Sequence, residues 1–159
     1  MIIKKNFQKN FLRNIYSMDN VLLDTDVILD FFFDRQPFAE YSAQVIGLCE
    51  TNKIKGFITP VIYSNIYYLL RQTARHDKVI GNLKQLLTIT DVLTMDKEVV
   101  SNALNSGFKD FEDSLQNFAA MKHGGIDVIL TRNIKDYSKS KIGVLTPELY
   151  IKSLISKIE

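Results

Sequence analysis

Short apolar runs ending on polar residues alternate along this chain with longer stretches whose apolar positions recur every three or four residues. Val21-Leu22-Leu23 stops at Asp24 and predicts a buried strand, after which Val27 to Phe33 reads as an apolar helical segment. Pro37 suits the first turn of a second helix, which carries Tyr41, Val45, Ile46, Leu48 and Cys49 as far as Thr51. Lys55 to Thr59 predicts the second strand. Thr59-Pro60, a capping residue followed by proline, opens a helix with Ile62, Ile66, Leu69, Leu70 and Thr73 on one face, which His76 ends. Asp77 starts an amphipathic stretch through Ile80, Leu83, Leu86 and Leu87, and Val92-Leu93-Thr94 predicts the third strand. Asp96 caps a helix holding Val99, Val100, Ala103 and Leu104, which Gly107 ends. Asp110 to His123 reads as a helix closed by Gly124-Gly125, followed by a fourth strand over Asp127 to Thr131. Gly143-Val144-Leu145 predicts a fifth strand, and Thr146-Pro147 starts a last helix.

Strands alternating with helices of this length imply βαβ units, hence a three-layer α/β/α fold around a parallel sheet of four to five strands. In such sheets ligands bind outside the carboxyl ends of the strands. Chemical groups are therefore expected just after strands, and Asp24, Asp26, Asn133 and Asp136 stand there.

Composition narrows the class. The chain has 159 residues, 46% of them hydrophobic and 24% charged, enough to bury a core as one domain without staples. Its longest apolar runs are far short of a membrane span. A lone cysteine, Cys49, excludes a disulfide framework and a multi-cysteine zinc site, so the cytoplasm is the expected location and Cys49 an expected core residue. The net charge of +2 is unevenly spread. Residues 1–17 hold Lys4, Lys5, Lys9 and Arg13 and no acid, leaving 16 basic and 18 acidic residues beyond them. The compact part is thus slightly acidic. The first 17 residues lack the apolar core and cleavage site of a signal peptide. They read either as a basic amphipathic arm for RNA or a partner, or as a poorly ordered extension.

Three acidic groups remain. Asp24 and Asp26 follow the first strand, Asp110-Phe111-Glu112-Asp113 starts a helix, and Thr131 to Tyr137 follows the fourth strand with Asn133 and Asp136. Each has a structural reading of its own, as helix cap, first-turn acid favoured by the helix dipole, or ordinary turn. Gathered at one sheet edge they would repel one another, and a divalent cation is the usual remedy. Oxygen ligands without a His/Cys set point to Mg²⁺ or Mn²⁺.

Leu22 to Asp30, the Thr59-Pro60 helix, Phe108 to Asp113 and Thr131 to Tyr137 together resemble the PIN domain family, closest to its single-domain, VapC-like prokaryotic ribonucleases. The resemblance runs from Val21 to Leu154 and implies a PIN-like domain over residues 18–159 preceded by the basic extension of residues 1–17. It implies an endoribonuclease dependent on Mg²⁺ or Mn²⁺, a homodimer and, for a toxin, an antitoxin encoded next door. Asp24 and Asp113 match family aspartates, the resemblance has Asp136 or Asn133 complete the metal site, and it implies that Thr131 orients the ligand or the scissile phosphate. Asp26 stands where Asn or Ser is more usual. Asn65 stands where the family brings in a glutamate, which leaves two readings: Asp26 or Glu112 compensates, or the scaffold binds RNA or protein without cutting efficiently.

Asp24-Thr25-Asp26-Val27 also resembles the opening motif of haloacid-dehalogenase-type phosphohydrolases. Those enzymes need a later lysine and a paired-acid motif, and after Thr131 only Asp136, Glu148 and Glu159 remain. Tyr63, Tyr67 and Tyr68 with Arg71 and Arg75 form either a stacking and phosphate-contacting surface for single-stranded RNA or a packing surface. Arg71, Arg132 and Lys135 are the cations expected to steer phosphates. His123 is expected as a helix-terminal residue.

Overall fold

The computed structural model describes residues 15 and 17–158. The expected N-terminal extension lies almost wholly outside them; of its residues, Ile15 is buried in the core and the Ser17 hydroxyl accepts from the Asp19 N–H at 3.2 Å.

Among the described residues, five short strands and seven α-helices alternate. These are β1 (Asn20–Leu23), α1 (Thr25–Phe32), α2 (Phe38–Glu50), β2 (Lys55–Ile58), α3 (Pro60–Leu70), α4 (His76–Ile89), β3 (Thr90–Val92), α5 (Lys97–Leu104), α6 (Phe111–His123), β4 (Val128–Leu130), β5 (Gly143–Leu145) and α7 (Pro147–Ser156). A 3₁₀ turn covers Ile134–Tyr137. The sheet order is β3-β2-β1-β4-β5, every neighbouring pair parallel. This is the expected PIN-like α/β architecture.

The central strands are the enclosed ones. Val21, Leu22, Leu23, Ile129 and Leu130 are almost entirely inaccessible, as the central strands of a parallel sheet covered on both faces must be. Each such side chain contributes roughly 1.5–3 kcal/mol on burial. Local chemistry starts the helices. Asp24, Thr59, Asp96, Asp110 and Thr146 each cap one by accepting a backbone N–H, and Gly124, at φ 77°, closes α6 in the left-handed conformation.

Two boundaries differ from the pattern-based expectation. The third strand is Thr90–Val92, where the apolar pattern places it at Val92–Thr94. Thr90 pairs with Gly56 and Val92 with Ile58, while Leu93 is buried just beyond the ladder and Val92 is exposed. The Leu93 N–H still donates to the Ile58 carbonyl at 3.0 Å, so the apolar run marks the buried end of the pairing and misses its start at Thr90. His76 begins α4 and does not end α3, which stops at Leu70; Thr73 therefore lies in the connecting turn.

Cys49 is buried, and its Sγ occupies the space beside Gly56, where an added Cβ would stand 2.7 Å away. Gly56→Ala is expected to destabilise by about 1–3 kcal/mol through overpacking. Thermal denaturation of the single variant and of Gly56→Ala/Cys49→Ala checks this, since the second change removes the clashing sulfur and should recover part of the loss.

The topology fixes where a ligand belongs. From β1 the chain steps outward through β2 to β3, then returns across the sheet to β4 on the other side of β1. Right-handed crossovers place α1–α4 on one face and α5 and α6 on the other; α1 packs on α2 and α3, and α5 on α6. The carboxyl ends of β1 and β4 flank the point where the order reverses, the crevice that such sheets use for binding.

Candidate active site

At that reversal point a cavity of about 520 Å³ opens, lined by six carboxylates: Asp24, Asp26, Asp110, Glu112, Asp113 and Asp136. Asn65, Asn133, Tyr68 and Arg35 also face it, Arg35 being the one cation among its described lining residues.

Asp24 owes its position to the β1–β4 pairing: its N–H still donates to the Leu130 carbonyl at 3.0 Å, and its Oδ1 then caps α1 by accepting the Thr25 N–H at 2.8 Å. Burial, and after it the charges of Asp26 and Asp113, push its carboxyl up to about 7. Asp113 sits in the first turn of α6. Asp110 serves as that helix's cap, accepting the Asp113 N–H at 3.0 Å, and Asp113 lines the cavity with Asp24. Burial and the neighbouring Asp110 charge push Asp113 up to about 7 as well.

Tyr137 joins the two. Its buried hydroxyl donates to Asp24 Oδ2 at 3.2 Å, and it lies near enough to Asp113 to influence that carboxyl. The hydroxyl stays protonated beside them, because burial and the two acids push its pKa far up, and Asp24 titrates coupled to the Asp113 charge. Tyr137 was read only as part of a motif block; no periodicity marks a tyrosine whose hydroxyl finds a carboxylate 113 positions away.

Around this pair, Asp26 is half-buried and accepts from the Arg132 N–H at 3.0 Å and the Thr131 hydroxyl at 3.4 Å, while its Oδ1 is buried without a partner. Burial raises its pKa. Thr131 is fully buried, and its hydroxyl also accepts the Asn133 N–H at 3.1 Å. Asn133 and Asp136 are exposed at the rim. On the opposite wall the Asn65 amide donates to Glu112 Oε1, which the Thr25 hydroxyl approaches at 3.5 Å. Asn65 thus holds a neighbouring carboxylate in the cavity. Burial and Asp110 raise the pKa of Glu112.

The other expected RNA contacts are placed differently. Tyr67 faces His76, its hydroxyl 3.1 Å from Nδ1, and Arg71 donates to the Ala74 carbonyl at 2.7 Å. Tyr63 reaches the Thr90 hydroxyl at 3.4 Å. Arg132 pairs with the fully buried Asp30 at 2.8 Å, its Cζ 4.3 Å above the Phe38 ring. These four and the exposed Lys135 do not line the cavity. His123, at the end of α6, lies 4.8 Å from the Phe57 ring.

Among the described residues no three His, Cys, Asp or Glu side chains form a ready-made metal cage. The donor set nevertheless fits a hard divalent cation. It is oxygen-only, two of its carboxyls are held up by burial and by neighbouring acids, and Asp26 Oδ1 is buried with nothing to satisfy it. Magnesium keeps several waters and commonly takes only one or two carboxylates; Asp24 and Asp113 would supply them.

Comparison with known proteins agrees with this geometry. The PIN domain family model matches residues 20–135. Ribonuclease VapC1 of Aquifex aeolicus is 30% identical over 135 residues, covering 82% of this chain and 92% of the relative. The structure of VapBC-1 from nontypeable Haemophilus influenzae superposes with a TM-score of 0.60 at 12% identity, covering 81% of this chain and 98% of that one. VapBC2 from Rickettsia felis, bound to a DNA fragment from its promoter, gives 0.59 at 10% identity over 80% and 98%. With its acids at the β1–β4 reversal point and its family match spanning most of the sheet, the chain belongs to the PIN domain family.

Proposed function

We propose that this protein is an endoribonuclease that hydrolyses RNA phosphodiester bonds with Mg²⁺ or Mn²⁺, and that it is the toxin of a toxin–antitoxin pair. The observation that carries the reading is the Asp24–Tyr137–Asp113 unit at the sheet reversal point, walled by four further carboxylates. Its likeness to a VapC ribonuclease supports the substrate class, and its likeness in fold to chains in VapBC structures is in keeping with an antitoxin partner.

Asp24 and Asp113 would hold the cation, with Asp136 and Asn133 at the rim. When bound, the cation polarises a phosphoryl oxygen and readies a water for in-line attack. The chain's own residues prepare that site. Tyr137 holds Asp24 Oδ2 in place, and Thr131 and the Arg132 N–H orient Asp26 beside it. Glu112, fixed by Asn65 and half-buried, is placed to accept a proton. Asn65 therefore keeps a carboxylate on the wall where a glutamate is missing, which favours the active reading over a purely binding scaffold. The phosphohydrolase reading needs a lysine beside Asp24, and no lysine is among the described cavity-lining residues.

Incubation of single-stranded RNA with the protein is expected to give internal cleavage with Mg²⁺ or Mn²⁺ and none with EDTA. Asp113→Asn is expected to cut about 100-fold more slowly or worse, as loss of one electrostatic partner to the reacting centre does. Equal cleavage in EDTA, or full activity of Asp113→Asn, overturns the proposal.

A further inference from the structure

Two side chains at the cavity rim have no part in the chemistry just described. Tyr68 lies on α3, where side chains three and four positions apart share a face; its neighbours Tyr63 and Tyr67 are engaged with Thr90 and His76. Tyr68 is 68% exposed, yet its ring is set edge-on against Tyr67, with centroids 5.5 Å apart at 75°. A large aromatic surface left in water beside an acidic cavity forfeits the stabilisation that burial would bring. It does, however, offer a π-face at the mouth of the cavity.

Arg35 is the second. It follows α1, and its guanidinium reaches Asp30 only at 3.9 Å, whereas Arg132 holds the same carboxylate at 2.8 Å. Asp30 is therefore committed to Arg132. The Arg35 side chain remains 42% exposed, its Cζ 5.0 Å from the Phe33 ring, as the single cation among the described residues lining six carboxylates. An arginine there does not neutralise the acids, since it touches none of the six at ion-pair distance among the described pairs. A fixed, half-exposed guanidinium suits a phosphate, which it binds through paired donors.

We infer that Tyr68 and Arg35 form the substrate-gripping rim of this site, Tyr68 stacking on an unpaired base and Arg35 contacting a backbone phosphate of single-stranded RNA. The inference rests on the nuclease reading and adds to it which residues select the strand. Stacking requires a base face that a duplex keeps covered, so the rim favours single strands over duplexes. The net acidity of the folded part means that this grip is local: one aromatic and one cation placed beside the cleavage site, in place of a broad positive surface.

The test uses the full chain in an Asp113→Asn background, which slows cleavage, with Mg²⁺ present. Binding of a fluorescein-labelled 12-nucleotide single-stranded RNA and of the matching RNA duplex is followed by anisotropy across a salt series. Tyr68→Ala is expected to weaken single-strand binding by about 5- to 100-fold, the range for loss of one base–aromatic stack. Tyr68→Phe should bind as the parent does, and the exposed position should leave the melting temperature of both unchanged. Arg35→Gln is expected to lower the slope of log affinity against log salt by about 0.7, one phosphate contact on a single strand, with Arg35→Lys retaining it. Three results overturn the inference while leaving the nuclease reading intact: Tyr68→Ala binding like the parent, an unchanged salt slope in Arg35→Gln, or duplex bound as tightly as single strand. A parent that binds neither RNA overturns the nuclease reading, and this inference with it.

Discussion

Asp24→Asn is expected to lower RNA cleavage by about 100-fold or more and, in EDTA at pH 8, to make the protein more stable. The second effect follows from the charge that the fold confines. Asp24 and Asp113 both have carboxyls held near 7 by burial and by neighbouring acids. Their folded-state values lie above their unfolded ones, so between about pH 4 and 7 the folded protein binds more protons than the unfolded chain. Stability is then fullest below that window and falls as pH rises through it. A shift from 3.8 to about 7 sets an upper bound of about 4 kcal/mol for Asp24, at about 1.4 kcal/mol per unit. Coupling to Asp113 and structural relaxation reduce the net gain on neutralisation to about 1–3 kcal/mol, or about 3–8 °C in Tm for a chain of this length. Asparagine keeps one side-chain oxygen, which can go on capping α1, while its amide N–H takes the place of Oδ2 and donates to the Tyr137 hydroxyl, so the change removes the charge at the cost of reversing one hydrogen bond. Saturating Mg²⁺ or Mn²⁺ should raise the Tm of the parent and have little effect on the variant. Calorimetry from pH 5 to 8, with and without cation, checks all three statements. A variant less stable than the parent in EDTA at pH 8, or one stabilised equally by the cation, contradicts the predicted site.

The second large effect belongs to Arg132. Asp30 is completely buried in α1, and among the described residues its charged partners are Arg132 and, at 3.9 Å, Arg35. Arg132→Met would leave that carboxylate without a close partner in the interior. Breaking a buried pair in this way costs about 3–5 kcal/mol, an expected drop in Tm of about 10–15 °C. Burial already raises the pKa of Asp30, with Arg132 the main opposing influence. Loss of Arg132 raises it further, so the penalty should be largest at pH 8 and shrink as falling pH protonates the carboxyl. Replacing both residues, as Arg132→Met/Asp30→Leu, removes the stranded charge and should recover most of the stability. Denaturant unfolding of the two variants at pH 4.5 and 8 decides it. A loss independent of pH, or one that the double replacement does not relieve, would mean that Arg132 stabilises through its packing on Phe38 and not through Asp30.

These two residues also mark how far the sequence could be read. Asp24 and Asp113 are legible because strand ends and helix first turns are local features: an apolar run that stops at an acid, and a cap three residues before another acid. The acidic character of the folded part is legible for the same reason, as a count along the chain. Arg132 was not legible as Asp30's partner. It reads as one more cation after a strand, and its engagement depends on residues 102 positions apart meeting across α1 and β4. Arg35 lay in a loop without pattern, and the tyrosines of α3 could not be sorted into packed and exposed members by spacing alone.

By itself, then, the sequence determined the alternation of strands and helices, the parallel sheet and the acids at strand and helix ends, because apolar periodicity and capping act over a few residues. Only the tertiary structure decided which charges are spent on the fold and which face the cavity. Pairing β1 with β4 in the register Leu23 to Leu130 brings Tyr137 to Asp24, Asp26 to Thr131 and Asp30 to Arg132. Those partners are more than a hundred residues apart, and what they do to one another depends on distance and burial, neither of which the order of residues states.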